Sequence, residues 1–186
     1  MPDVAGHGHA PGDDTRGMLA VFSDSHGNLA LLSKAVKSAL GEGATVLVHL
    51  GDEYSDLAEV DTRSASVWRV PGLRCPEMRN PFIDNVLSFE FAGWRILAVH
   101  DCSMAPGAEG ARELVLYGHT HIPDCEKRPD GRWYCNPGHL KAVRDRGADA
   151  GYALVRALAD GRLEVRFRTP EGKPAKSVDP QATLLD

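Results

Sequence analysis

Apolar residues in this chain fall into short runs, and several of the runs end in aspartate or histidine. Met18 to Phe22 is continuous and apolar, which predicts a buried strand. It leads directly into Ser23-Asp24-Ser25-His26-Gly27-Asn28. Leu29, Leu32, Ala35, Val36 and Ala39 then recur at helical spacing as far as Gly41. Asn28 stands where an N-cap belongs, and Gly41 and Gly43 supply the stop. Thr45 to Leu50 is the next apolar run, closed by Gly51-Asp52. A strand, a helix and a strand in this length predict a right-handed βαβ unit with parallel strands. Both strands then end at one sheet edge, which brings Asp24, His26 and Asp52 to the place where open α/β sheets bind ligands. His49, inside the second strand, reads as a satisfied core histidine.

Further on, the pattern changes. Residues 53–63 are polar with room for a short helix, and Ser66 to Val70 is a third run, ending in Pro71-Gly72-Leu73-Arg74-Cys75. Val86 to Phe91 and Trp94 to His100 flank Ala92-Gly93 and predict a hairpin whose second strand ends in His100-Asp101. Residues 102–113 leave room for only a short helix. Val115 to Tyr117 is a buried run ending in Gly118-His119-Thr120-His121, where extended backbone turns the two histidines to one side. Asp130-Gly131 and Asp160-Gly161 mark two more hairpins, between Asp124–Arg128 and Arg132–Cys135 and between Tyr152–Ala157 and Leu163–Arg168. Asn136-Pro137-Gly138-His139 is a turn, and His139 reads as a surface histidine on it, with a place facing a ligand pocket as the alternative. The pattern implies an α/β protein: a disordered tail at 1–17, a single domain at 18–169, and a loosely attached tail at 170–186.

Composition narrows this only slightly. The chain has 186 residues, 42% hydrophobic and 25% charged, which suits one compact domain. A net charge of −5 argues against broad attraction to nucleic acid or anionic membrane, though not against a small nucleic-acid substrate. No apolar run approaches a membrane span, and residues 1–17 lack the apolar core of a signal peptide. Cys75, Cys102, Cys125 and Cys135 form no C-x-x-C pair, so the expectation is a cytoplasmic protein with reduced thiols. His7 and His9 read as part of a solvated tail.

The chemistry lies at the ends of the runs. They supply Asp24, His26, Asp52, His100, His119 and His121, two carboxylates and four imidazoles. This mixed set suits manganese, iron or zinc better than magnesium or calcium, with manganese preferred. Six ligands exceed one tetrahedral site, and a bridging carboxylate, most naturally Asp52, divides them between two ions. Two ions about 4 Å apart suit an in-line attack on phosphorus, polarising its oxygens and turning water into hydroxide.

The ordered elements Ser23-Asp24-Ser25-His26-Gly27-Asn28, Gly51-Asp52, Val70-Pro71-Gly72, His100, Gly118-His119-Thr120-His121 and Asn136-Pro137-Gly138 resemble the calcineurin-like metallophosphoesterase superfamily. The likeness is closest to its small bacterial and archaeal phosphodiesterase branch, which includes the retromer-subunit homologues. The resemblance covers roughly residues 18–168 and implies a four-layer α/β/β/α sandwich of two mixed sheets. It implies hydrolysis of a small phosphate ester, with Asp24, His26, Asp52 and His121 holding one metal and Asp52, His100 and His119 the other. Asn28 and Asn136 would support the site.

Two departures qualify the resemblance. The family places an asparagine ligand after Val-x-Gly, and this chain has Leu73, which cannot coordinate. The second ion could bind with one ligand fewer, bind only weakly, or have been lost, leaving a non-catalytic interaction module on the same scaffold. In the first two cases Arg74 is the candidate to steady a phosphoryl oxygen, beside Asp52 in the catalytic set. Cys75 reads as an inert, partly buried thiol. The second departure is length: eighteen residues separate His100 from His119, fewer than the family helix needs.

Overall fold

The computed structural model describes residues 17–176 and 183–186. The expectations for 1–16, including His7 and His9, lie outside the described residues. The strands and one helix are β1 (Met18–Phe22), α1 (Leu29–Gly41), β2 (Val46–His49), β3 (Ser66–Arg69), β4 (Val86–Phe91), β5 (Trp94–Val99), β6 (Glu113–Leu116), β7 (Asp124–Lys127), β8 (Trp133–Asn136), β9 (Arg144–Asp145), β10 (Ala148–Asp149), β11 (Tyr152–Ala157), β12 (Leu163–Arg168) and β13 (Thr183–Leu185). Short 3-10 turns occupy Asp56–Ala58, Pro76–Arg79 and Cys102–Met104.

Two mixed sheets carry the fold, in the orders β13-β12-β11-β1-β2-β3 and β4-β5-β6-β8-β7. Strands β1, β2 and β3 are parallel, as are β5, β6 and β8. The predicted βαβ start is therefore present, and six strand ends feed one edge region. Side-chain alternation stacks the layers. In β1, Leu19 and Val21 join the core between the sheets, while Ala20 and Phe22 meet α1. In β5, Trp94, Ile96 and Ala98 fill the same central core, and Leu97 and Val99 face outward.

Helix α1 forms as its periodicity requires, burying Leu32, Ala35, Val36 and Ala39. The Asn28 side chain caps it by accepting from the Leu31 N–H at 3.2 Å, a contact typically worth about 1 kcal/mol. On the far side of the second sheet, the helical layer is reduced to the Cys102–Met104 turn, with Cys102, Met104 and Ala105 packed over Leu97, Val99 and Val115. The short 102–113 segment leaves no length for more. No helix among the described residues is long and apolar enough to cross a membrane. All four cysteines are free thiols, with Cys75 buried.

Three features differ from the sequence expectations. The segment 170–186 is not loose throughout, because β13 pairs antiparallel with β12 and Leu185 is fully buried. The β9–β10 hairpin, turned through Arg146 and Gly147 at positive φ, went unpredicted. His139 is not a surface residue: it is fully buried and bonds through Nε2 to the Ala148 carbonyl at 3.2 Å.

Candidate metal centre

Backbone conformation aims the candidate ligands. Asp24, His26, Asp52, His119 and His121 all have left-handed backbone, with φ of 52°, 47°, 47°, 67° and 65°. Such residues cost on the order of 1–3 kcal/mol each and concentrate where a site must hold side chains in set directions. Backbone bonds keep them there: the Asp24 N–H donates to the Gly51 carbonyl at 3.0 Å and the His26 N–H to the Asp52 carbonyl at 2.9 Å. His100 is the exception and enters from the end of β5 with ordinary backbone.

Glycine makes the close approach feasible. A Cβ on Gly118 would lie 1.9 Å from Ser23 Oγ and 2.7 Å from Asp24 Oδ2. A Cβ on Gly72 would lie 1.9 Å from Asp52 Oδ1. Any larger residue at either position would displace a carboxylate of the cluster.

The two oxygens of Asp24 have separate tasks. Oδ2 accepts from the Ser23 hydroxyl at 2.5 Å and from the His119 N–H at 3.0 Å. Oδ1 is buried and has no hydrogen-bond partner among the described residues. It lies 3.1 Å from His121 Nε2, without hydrogen-bond alignment. His121 donates its Nδ1–H to Asp145 at 2.5 Å, so its Nε2 carries a lone pair when the ring is neutral. That nitrogen is also 3.4 Å from His26 Nε2. His100 donates its Nδ1–H to the Leu50 carbonyl at 2.7 Å, leaving a buried, unpartnered Nε2 lone pair 3.5 Å from Asp52 Oδ1.

Asp24, His26 and His121 thus bring one ligand atom each within 4.8 Å of one another, and Asp24, Asp52 and His100 do the same. Asp24 is common to both groups, whereas the resemblance implied Asp52 as the shared ligand. Asp52 lies between them, 3.7 Å from His26 and 3.5 Å from His100. Converging lone pairs repel unless a proton or a cation lies among them, and this donor set fits a divalent cation. The electrostatics agree. Burial pushes the Asp24 carboxyl up, but contact with His121 and Ser23 outweighs it and holds the acid below its usual range. Contact with Asp24 raises His121, whereas burial lowers His26.

His119 is placed differently. Its side chain is 44% exposed, and its Nε2 is 3.8 Å from Asp101. Its ring meets that of His100 edge-on at 5.2 Å, so it borders the second group without joining it. Leu73 is 46% exposed. Arg74 is exposed on the same loop and makes no hydrogen bond or ion pair to the cluster among the described residues. Asn136 donates to the Gly118 carbonyl at 2.8 Å and to Thr120 Oγ1 at 3.0 Å, and Asn28 donates to the Lys141 carbonyl at 2.9 Å.

Sequence reasoning missed three supporting residues. Asp145 reaches His121 from the unpredicted hairpin. Asp56 accepts from the Gly27 N–H at 2.8 Å. His49 is the third, although its burial was foreseen. The Gly51 N–H donates to its Nδ1 at 3.3 Å, so Nε2 must carry the proton and donate to Ser25 Oγ at 2.9 Å. The Ser25 hydroxyl then donates to the Asp52 carbonyl at 3.4 Å. Only the i+2 spacing of His49 and Gly51 hinted at this relay.

Comparisons with known proteins identify the family and the fold. The profile of the calcineurin-like phosphoesterase superfamily domain matches residues 18–160. Similar solved structures include Yfce, a phosphoesterase from E. coli, at 19% identity and TM-score 0.69, covering 91% of this chain and 100% of that one. An archaeal phosphodiesterase matches at 20% identity and TM-score 0.62, covering 82% and 99%. Chaetomium thermophilum Vps29 matches at 13% identity and TM-score 0.64, covering 92% and 95%. At these identities the likeness establishes the fold. A search of curated protein sequences gives no match.

Proposed function

This chain belongs to the calcineurin-like phosphoesterase superfamily, and from that premise we propose that it is a metal-dependent hydrolase of small phosphodiesters. Asp24, His26, Asp52 and His121 would hold one divalent ion, manganese by preference, and Asp52, His100 and His119 a second. Bound there, such ions supply Lewis acidity toward a phosphoryl oxygen and lower the pKa of water. The observation that carries the reading is a convergence of buried acceptors: His100 Nε2 and Asp24 Oδ1 have no hydrogen-bond partner among the described residues, and His121 Nε2 lies 3.1 Å from Asp24 Oδ1 and 3.4 Å from His26 Nε2.

The chain's own residues do the rest. Ser23 and the His119 N–H hold Asp24 by one oxygen, keeping the other directed at the cluster. The Leu50 carbonyl fixes the His100 tautomer. His26 and His119 form the solvent-facing side, while Asp24, His100 and His121 line the buried wall, so substrate enters past the two exposed rings. Arg74, exposed beside Leu73, serves as the cation that steadies a phosphoryl oxygen.

The test is hydrolysis of a bis-aryl phosphate by protein supplied with manganese, alongside an Asp52→Ala variant. The wild type should turn over and the variant should not. Wild-type activity no greater than that of Asp52→Ala, across a broad manganese range, would sink the proposal.

A further inference from the structure

The β9–β10 hairpin is the best-connected element around the cluster that the proposed chemistry leaves unused. Its Asp145 Oδ2 accepts the His121 Nδ1–H at 2.5 Å. Arg146 of the same turn donates to the His119 and Thr120 carbonyls at 3.0 and 3.2 Å, fixing the hairpin to the histidine loop. Lys141 lies 3.6 Å from the other Asp145 oxygen. The buried His139 ring packs against His121 with centroids 5.5 Å apart. His121 is therefore held by a carboxylate at one nitrogen and by an aromatic neighbour over its ring, and Nε2 is left for the cluster.

We propose that Asp145 is a positioning residue for the metal centre, acting through His121. Its carboxylate fixes the tautomer that turns the Nε2 lone pair toward Asp24 and His26. It also makes that nitrogen a stronger donor by drawing on the Nδ1–H bond. Lys141, 3.6 Å from its other oxygen, helps to hold the carboxylate in place. Its loss would leave the ring free to rotate or to place its proton on the wrong nitrogen. The assignment rests on the metal-dependent reading above, but it concerns affinity and tautomer rather than turnover.

The experiment uses the full chain freed of metal by chelation, and its probe is manganese alone. Calorimetric titration should show Asp145→Ala binding manganese about 10–100-fold more weakly than wild type, with Asp145→Asn between the two because its amide oxygen still accepts the bond. Nitrogen-15 spectra of the metal-free protein should show His121 as a single Nδ1–H tautomer in wild type and as a mixture in Asp145→Ala. Arg144→Ala, which loosens the same hairpin by removing bonds to Asp149 and the Gly147 carbonyl, should leave manganese affinity unchanged. Equal affinities and an unaltered tautomer in Asp145→Ala would overturn the assignment alone. A wild type that binds no manganese would overturn the metal centre and this role with it. A loss in Arg144→Ala equal to that in Asp145→Ala would reduce Asp145 to a prop for the hairpin.

Discussion

Acidification should loosen this protein through His49, a residue that touches no proposed ligand. The imidazole is fully buried, and burial lowers its pKa from 6.5 to about 4. In the unfolded chain the same ring takes up a proton below its ordinary value. Between these two values the unfolded state binds a proton that the folded state refuses. The His49 contribution is therefore complete above pH 6.5 and is lost as the pH falls toward 4. A displacement of that size, at about 1.4 kcal/mol per pH unit, amounts to about 3 kcal/mol. His49→Gln removes the titration but retains a donor for Ser25, at a fixed cost of about 1–3 kcal/mol for the lost Gly51 bond. Urea unfolding of chelator-treated wild type and variant, from about pH 7.5 to about pH 4.5, isolates the term as a difference in slope. Wild type should lose stability more steeply, by close to one proton. Parallel pH profiles for the two proteins would refute the reasoning, as would a His49 resonance titrating near its unfolded value.

Two substitutions test other parts of the structure. Leu185→Ala removes a fully buried side chain from β13 and should cost about 2–5 kcal/mol in urea unfolding, whereas a near-zero change would mean that β13 adds nothing to the core. Leu73→Asn offers an oxygen beside Gly72, whose backbone packs against Asp52, and should strengthen binding of a second manganese ion by about tenfold or more in a calorimetric titration. An unchanged second affinity would show that residue 73 does not reach the His119 side.

Much of the architecture was legible because it rests on local patterns. The Met18–Phe22 run, the Leu29–Ala39 periodicity and the Ala92-Gly93 turn each report on their own few residues, and the structure realises all three. The convergence of Asp24, His26, Asp52, His100 and His121 was legible for a topological reason: parallel strands send their C-terminal ends to one edge. What escaped was tertiary. Arg144-Asp145 is too short and too polar to announce a strand, so the partner of His121 had no local sign. His139 looked like a turn residue because its burial comes from the neighbouring hairpin and the His121 ring. β13 follows a polar, proline-containing stretch, and its burial depends on an exposed edge of β12 that no sequence window contains. Asp24, rather than Asp52, is common to the two compact groups, a matter of side-chain direction that spacing does not specify.

Asp24 also reaches across the molecule. One of its oxygens accepts from the His119 backbone in the loop after β6 of the other sheet, while the His100 ring, just beyond β5 of that sheet, reaches back to the Leu50 carbonyl just beyond β2. The cluster therefore acts as a gauge of the gap between the sheets, a gap set by Trp94, Phe89, Ile96 and Val48 deep in the central core. Side chains there determine more than stability. A core that swelled or settled by a fraction of an ångström would still fold, but the gauge would read wrong, and the tolerance of the interior to change is set by the chemistry at its rim.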